Sequence, residues 1–183
     1  MAWAGNVRLT YLSVPLTESF YRRAESEAQE LNMRPLLDIV TTVCIGLLIG
    51  TEFAVAVFIN PILRRLGVRE ELRAIRLFAA KLGAAMPFWY GISLLLLIAE
   101  AVLRHGENGY LLLIAASAIW AAVIVLTLVF LVPINNRMAR VDPDAETEQA
   151  LTEHGQWDAM HRWRVATLTA AMICFLAAVL RVG

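Results

Sequence analysis

Residues 110–134 read YLLLIAASAIWAAVIVLTLVFLVPI, a run without one charged side chain. An α-helix rises 1.5 Å per residue, so this run covers the roughly 30 Å of hydrocarbon in a bilayer. In that medium a single segment satisfies its own N–H and C=O groups only as a helix. Three further blocks carry the same signal. Residues 39–59 are interrupted only by Glu52, and 82–99 and 165–180 hold no charge. The last block is the shortest, yet Trp163 and Arg164 before it and Arg181 after it have the character of interfacial anchors. The fold class is therefore all-α: a four-helix transmembrane bundle with spans at about 37–60, 81–103, 109–134 and 163–181.

Composition agrees with this reading. Of 183 residues, 59% are hydrophobic and 17% charged, against about one-quarter charged in soluble domains. The net charge is zero, which gives no electrostatic case for nucleic acid. Cys44 and Cys174 both lie in apolar blocks, which excludes a disulfide-stapled secreted fold and matches no metal-ligand spacing. Residues 1–34 form a polar N-terminal extension ahead of a membrane domain at 35–182. Glu18, Arg22, Arg23, Glu25, Glu27 and Glu30 interrupt it, so it is not a standard signal peptide. Residues 17–31 read as a surface-lying helix or a disordered segment, and Met33 is an alternative start.

The basic residues set an orientation. Arg64, Arg65, Arg69, Arg73, Arg76, Lys81, Arg137, Arg140, Arg162 and Arg164 fall on one side, and Arg8, Arg22, Arg23, Arg34, Arg104 and Arg181 on the other. The balance favours a cytoplasmic membrane with loops 61–81 and 135–162 inside and both termini outside. A weak internal repeat accompanies this topology. FINPILRR at 58–65 and FLVPINNR at 130–137 both read F-x-x-P-I-x-x-R, as two parallel helical-hairpin repeats would. A proline is expected to end each inward-running helix, because it cannot continue the hydrogen-bond ladder. Gly46 and Gly50 make a G-x-x-x-G pattern suited to close packing, either inside the bundle or in a homo-oligomer.

Polar groups within hydrocarbon are costly, so they mark function. Topology brings Asn60, Lys81, Asn135, Asn136, Trp157, His161 and Arg164 to one end of the bundle. Trp157, His161 and Arg164 follow i, i+4, i+7 spacing on one helical stripe. Glu52 lies about 12 Å deeper than Asn60, and Thr127 at similar depth above Asn135. Trp120 and Ser117 continue that polar stripe. The pattern predicts a pocket with an ionisable mouth, an asparagine lining and a buried carboxyl. Plainer readings stand beside this one. Asn60 and Asn136 could cap helix ends, Trp163 and Arg162 could anchor the interface, and Glu52 could be protonated and bonded to a neighbouring helix. Asp158 and Arg162 read as an i, i+4 pair, and Glu100 with Arg104 as another at the opposite face. His105 and His154 sit in loop-like sequence and are expected to be solvated.

VPINNR at 132–137, followed by a polar loop and WDAMHRWR at 157–164, resembles the anthrone oxygenase family of small four-span membrane proteins. The resemblance runs over about 35–180. The chain departs from it in the long N-terminal extension and in a second tryptophan, Trp163, inside the last motif. What the resemblance implies is oxygenation of an anthrone, or of a related aromatic polyketide, by dioxygen without an evident redox cofactor. His161, a side-chain type that exchanges protons near neutral pH when unperturbed, would then be the base. Asn135 and Asn136 would hydrogen-bond the developing oxyanion, with Arg164 adding charge stabilisation. Trp157 would stack on the ring system, and Asn60, Glu52 and Thr127 would line the substrate site. No cofactor or metal is predicted. A haem variant stays open, with His161 as one axial ligand and no second intramembrane histidine to pair with it. Two other functions fit the same residues: a small transporter or lipid-binding protein using Glu52, and an assembly partner using Gly46 and Gly50. The partners expected are the lipid bilayer, a hydrophobic small-molecule substrate and dioxygen.

Overall fold

The computed structural model of the chain describes residues 16–144 and 148–182. The first fifteen residues of the expected extension, and three residues of the expected second loop, lie outside that description. The chain divides into two units, Met1–Leu36 and Leu37–Gly183, and the second is the bundle. Among the described residues every regular element is helical: α1 (Leu16–Ala54), α2 (Asn60–Leu63), α3 (Val68–Leu103), α4 (Tyr110–Leu126), α5 (Val132–Met138) and α6 (Glu148–Val182). Short π-helical turns at Val55–Ile59 and Thr127–Leu131 join α1 to α2 and α4 to α5.

Among the described residues four stretches are long and apolar enough to cross a membrane: Met33–Leu63, Val68–Leu103, Tyr110–Met138 and Glu148–Arg181. Their packing is that of a bundle in lipid. Ile45, Leu48, Leu97, Leu113, Trp120, Leu168 and Phe175 are wholly buried between the helices. Phe88, Leu95, Leu111 and Leu180 face outward, each more than two-thirds exposed. Water would not tolerate such a continuous apolar exterior, whereas lipid requires it. α6 packs chiefly on α4, and α3 on α4 and α5. Two tryptophan N–H groups are met inside the bundle: Trp120 Nε1 donates to the Tyr90 carbonyl at 3.2 Å, and Trp89 Nε1 to the Cys44 carbonyl at 3.1 Å. The turn between α3 and α4 depends on Gly109 at φ 100°, where a Cβ would come 2.9 Å from the Ala178 carbonyl oxygen.

Two expectations change. The segments 61–81 and 135–162 are largely helix rather than loop. α3 begins at Val68 and α6 at Glu148, and at 36 and 35 residues each is about 50 Å long, well beyond the hydrocarbon. The outer part of α3 is amphipathic. Leu72, Ile75 and Ala79 pack into a second core with Leu63, Ile134, Met138, Val141 and Ala150, while Arg69, Arg73 and Arg76 remain exposed. The prolines do not end the inward-running helices either. In each π-turn an N–H reaches back five residues, Asn60 to the Val55 carbonyl and Val132 to the Thr127 carbonyl. The ladder is thereby reset just ahead of Pro61 and Pro133, which then sit in the first turn of α2 and α5, where a missing N–H is tolerated.

The opposite end of the bundle is closed by charge. Thr41 Oγ1 donates to Glu100 at 3.0 Å, and Arg104 bridges Glu100 and Asp38, the latter at 2.6 Å. The expected i, i+4 pair of Glu100 and Arg104 is present and buried, and through Asp38 and Thr41 it ties α1 to the end of α3. In the G-x-x-x-G pattern, a Cβ at Gly46 would touch Met172 at 3.7 Å, while nothing described lies within 4 Å of one at Gly50.

Candidate functional site

α6 presents Trp157, His161 and Arg164 inward, toward Glu52 on α1. The Glu52 carboxylate is 2% exposed and accepts three donors: the Tyr90 hydroxyl at 3.0 Å, Arg164 Nη2 at 2.5 Å, and His161 Nδ1 at 3.1 Å when that nitrogen is protonated. His161 Nε2 lies 3.0 Å from the Glu52 main-chain oxygen. A carbonyl only accepts, so Nε2 is the nitrogen that carries a proton toward it and Nδ1 is the one left able to accept. Arg164 Nη2 also lies 2.8 Å from Nδ1, so one guanidinium nitrogen spans the carboxylate and the imidazole. The guanidinium carbon lies 5.7 Å from the centre of the Tyr90 ring and 5.9 Å from that of Trp157, both within cation–π range. A buried carboxylate, a cation and a histidine with a fixed tautomer thus form one connected group, which is how a low-dielectric interior holds charge.

This group forms one wall of a cavity of about 340 Å³. Leu82, Gly83, Met86, Pro87 and Tyr90 of α3 face it, together with Ile124, Leu128, Leu131 and Val132 from the third span. The volume lies at the small end of ligand sites, about 300–1,000 Å³, and an apolar lining with a few convergent polar groups is typical of them. Asn135 reaches across to α3 and donates to the Ala79 carbonyl at 3.0 Å; it lies over Gly83, where a Cβ would collide with its amide. Asn136 lines the cavity and is exposed. Thr127, in the π-turn, also lines it, and its Oγ1 is buried without a hydrogen-bond partner among the described residues.

Of the residues expected in the site, Glu52, Thr127, Asn135, Asn136, Trp157, His161 and Arg164 share this cavity. Asn60 does not. It donates to Asp158 at 2.6 Å, and the same buried carboxylate takes Arg64 at 2.5 Å and Arg162. Lys81 is exposed and lines no part of the cavity. His154, expected in solvent, is buried; its ring lies nearly parallel to Trp157, which is stacked in turn on His161 with centroids 4.6 Å apart. Trp157 is thus flanked by two imidazoles along α6. Tyr90 is the residue that sequence reasoning missed. Its one signal was a phenol placed in an otherwise apolar span that has to pack against Glu52. Among the described residues, no group of three or more His, Cys, Asp or Glu side chains is placed to hold a metal ion.

A family model described as anthrone oxygenase matches residues 74–174, more than half of the chain. The matched stretch contains Tyr90, Thr127, Asn135, Asn136, Trp157, His161 and Arg164, while Glu52 and Asn60 precede it. No curated protein and no solved structure matches the chain.

Proposed function

This chain belongs to the anthrone oxygenase family, and from that premise we propose that it oxygenates a flat, hydrophobic aromatic substrate bearing an acidified methylene, as an anthrone does. The observation that carries the reading is the placement of His161: buried in the wall of an apolar cavity, with Nε2 held by the Glu52 carbonyl and Nδ1 between Glu52 and Arg164.

The methylene opposite an anthrone carbonyl loses a proton readily, because the carbanion is an aromatic phenolate-like ion. His161 Nδ1 takes that proton, and the Glu52 carboxylate beside it stabilises the resulting imidazolium. For Nδ1 to be free, Arg164 has to shift its N–H from the imidazole to the substrate oxygen, where it meets the negative charge as it forms. Asn136 adds a hydrogen bond at the same oxygen, and Asn135 positions α3 against the third span. The electron-rich carbanion reduces dioxygen, and a C–O bond forms to give a hydroperoxide that recovers the proton from His161. Loss of water from the hydroperoxide breaks the O–O bond and leaves the quinone carbonyl. One dioxygen is consumed, one oxygen atom enters the product, and the other leaves as water. The substrate itself supplies the electrons, so the proposed chemistry uses no redox cofactor.

We place the bundle in a cytoplasmic membrane with the arginine-rich ends of α3 and α6 inside, so a hydrophobic substrate reaches the cavity from the lipid. The test is His161→Ala assayed with anthrone, following quinone absorbance and dioxygen uptake together. Both should fall at least a hundredfold in protein that still folds; turnover equal to the parent would refute the assignment.

A further inference from the structure

Outside the cavity, α6 carries a second polar arrangement that the proposed reaction does not use. Asp158 is buried, with 1% of its side chain exposed, and it receives both Arg64 and Arg162. Two guanidinium groups share that one carboxylate. Arg64 also feels Glu71, but forms no ion pair with it among the described residues. The two arginine side chains stay 44% and 57% exposed, and each engages Asp158 through a single nitrogen. With five N–H donors on each guanidinium, most of their capacity faces outward.

Both border a surface cleft lined by Arg64, Gly155, Ala159, Arg162 and Trp163. Gly155 and Ala159 are four residues apart, so the floor is helix backbone with almost no side chain above it. A Cβ at Gly155 would meet nothing within 4 Å. Trp163, the residue by which this chain departs from the family pattern, is 77% exposed at the edge of the cleft. The uncharged run of α6 begins at Val165, so the cleft lies where hydrocarbon gives way to headgroups.

We infer that this cleft binds a phosphate group, presented by an anionic membrane lipid. Paired guanidiniums match phosphate oxygens with bidentate geometry, and an indole at that depth packs on the glycerol and upper acyl region. A zwitterionic lipid would bring its own cation against the two arginines, so the cleft selects for net negative headgroups.

The test uses the full chain, purified in detergent and stripped of lipid, with retention of phosphatidylglycerol and of phosphatidylcholine compared by native mass spectrometry. Phosphatidylglycerol should be retained several-fold better. Ala159→Glu adds a negative charge to the floor between the two arginines while leaving Asp158 itself in place, and should cut that preference about fivefold. Trp163→Ala, at an exposed site, should weaken retention about twofold, and it remains informative if the Glu variant folds poorly. Equal retention of the two lipids, or a preference that survives both substitutions, overturns the inference. Displacement of the lipid by millimolar inorganic phosphate would overturn the membrane source, since it would make free phosphate a sufficient ligand.

Discussion

Replacing Glu52 by Gln tests the buried polar centre most directly. The carboxylate accepts Tyr90 at 3.0 Å and Arg164 at 2.5 Å, and His161 Nδ1 lies 3.1 Å from it. A glutamine keeps one acceptor oxygen, so one of the two donors, Tyr90 or Arg164, faces an NH₂ instead. Arg164, its side chain only 11% exposed, then has no carboxylate partner among the described residues and little water to replace it. Breaking a buried ion pair from one side costs about 3–5 kcal/mol, and the neutral hydrogen bonds that survive offset part of it, so about 3 kcal/mol should be lost in denaturant unfolding in micelles. Adding Arg164→Met removes the stranded charge. The double variant should regain at least half of the lost stability, because replacing both partners of a buried pair with apolar groups is often close to neutral. Anthrone turnover should recover in neither. Loss of the charge-assisted contact to the imidazolium, about 1.5–3 kcal/mol, lowers the rate roughly ten- to a hundredfold in the single variant and further in the double. If Glu52→Gln unfolds within about 1 kcal/mol of the parent, or the double variant is no more stable than the single, the reasoning fails.

Other outcomes follow from single contacts. Thr127→Val removes a hydroxyl that bonds to no described residue, so stability should stay within about 0.5 kcal/mol, while KM for anthrone rises about three- to tenfold with kcat unchanged; a fall in kcat alone would deny Thr127 a binding role. Gly83→Ala drives a Cβ into Asn135 and breaks its bond to the Ala79 carbonyl, whereas Gly91→Ala meets nothing within 4 Å. Unfolding should therefore find the Gly83 variant less stable than the Gly91 variant by about 1–2 kcal/mol, and equal stabilities would count against the α3–α5 contact. At the far end, Arg104→Met leaves Glu100 and Asp38 without their shared cation and should cost about 3–5 kcal/mol. Thr41→Val, which removes one neutral donor, should cost about 1 kcal/mol, and similar losses for the two would show that the tie is not electrostatic.

The number and order of the spans could be read directly because hydrocarbon allows one backbone solution, and a charge-free run states it without reference to partners. The outer turns of α3 were harder to read. Leu72, Ile75 and Ala79 keep helical spacing, but arginines and glutamates surround them, and their burial depends on Met138 and Ala150, which are distant in sequence. His154 was misplaced for a different reason: its polar surroundings read as loop, whereas they are helix and stack it on Trp157 three residues on. The inward stripe of Trp157, His161 and Arg164 follows from spacing along one helix, so it was legible. The separation of Asn60 from that stripe was not. Topology assigns a residue to an end of the bundle, whereas the direction it faces depends on the local winding of the helix.

That winding has a consequence for comparing sequences. A π-turn accommodates one residue more than an α-helical turn, and one residue on a helix amounts to about 100° of rotation. Asn60 meets Asp158, and Asn135 crosses to Ala79, downstream of such turns. Against a relative whose helices lack them, this chain aligns correctly only with a one-residue gap in Val55–Ile59 and another in Thr127–Leu131. A gapless alignment would look better and would give both asparagines the roles of residues more than a quarter of a turn away.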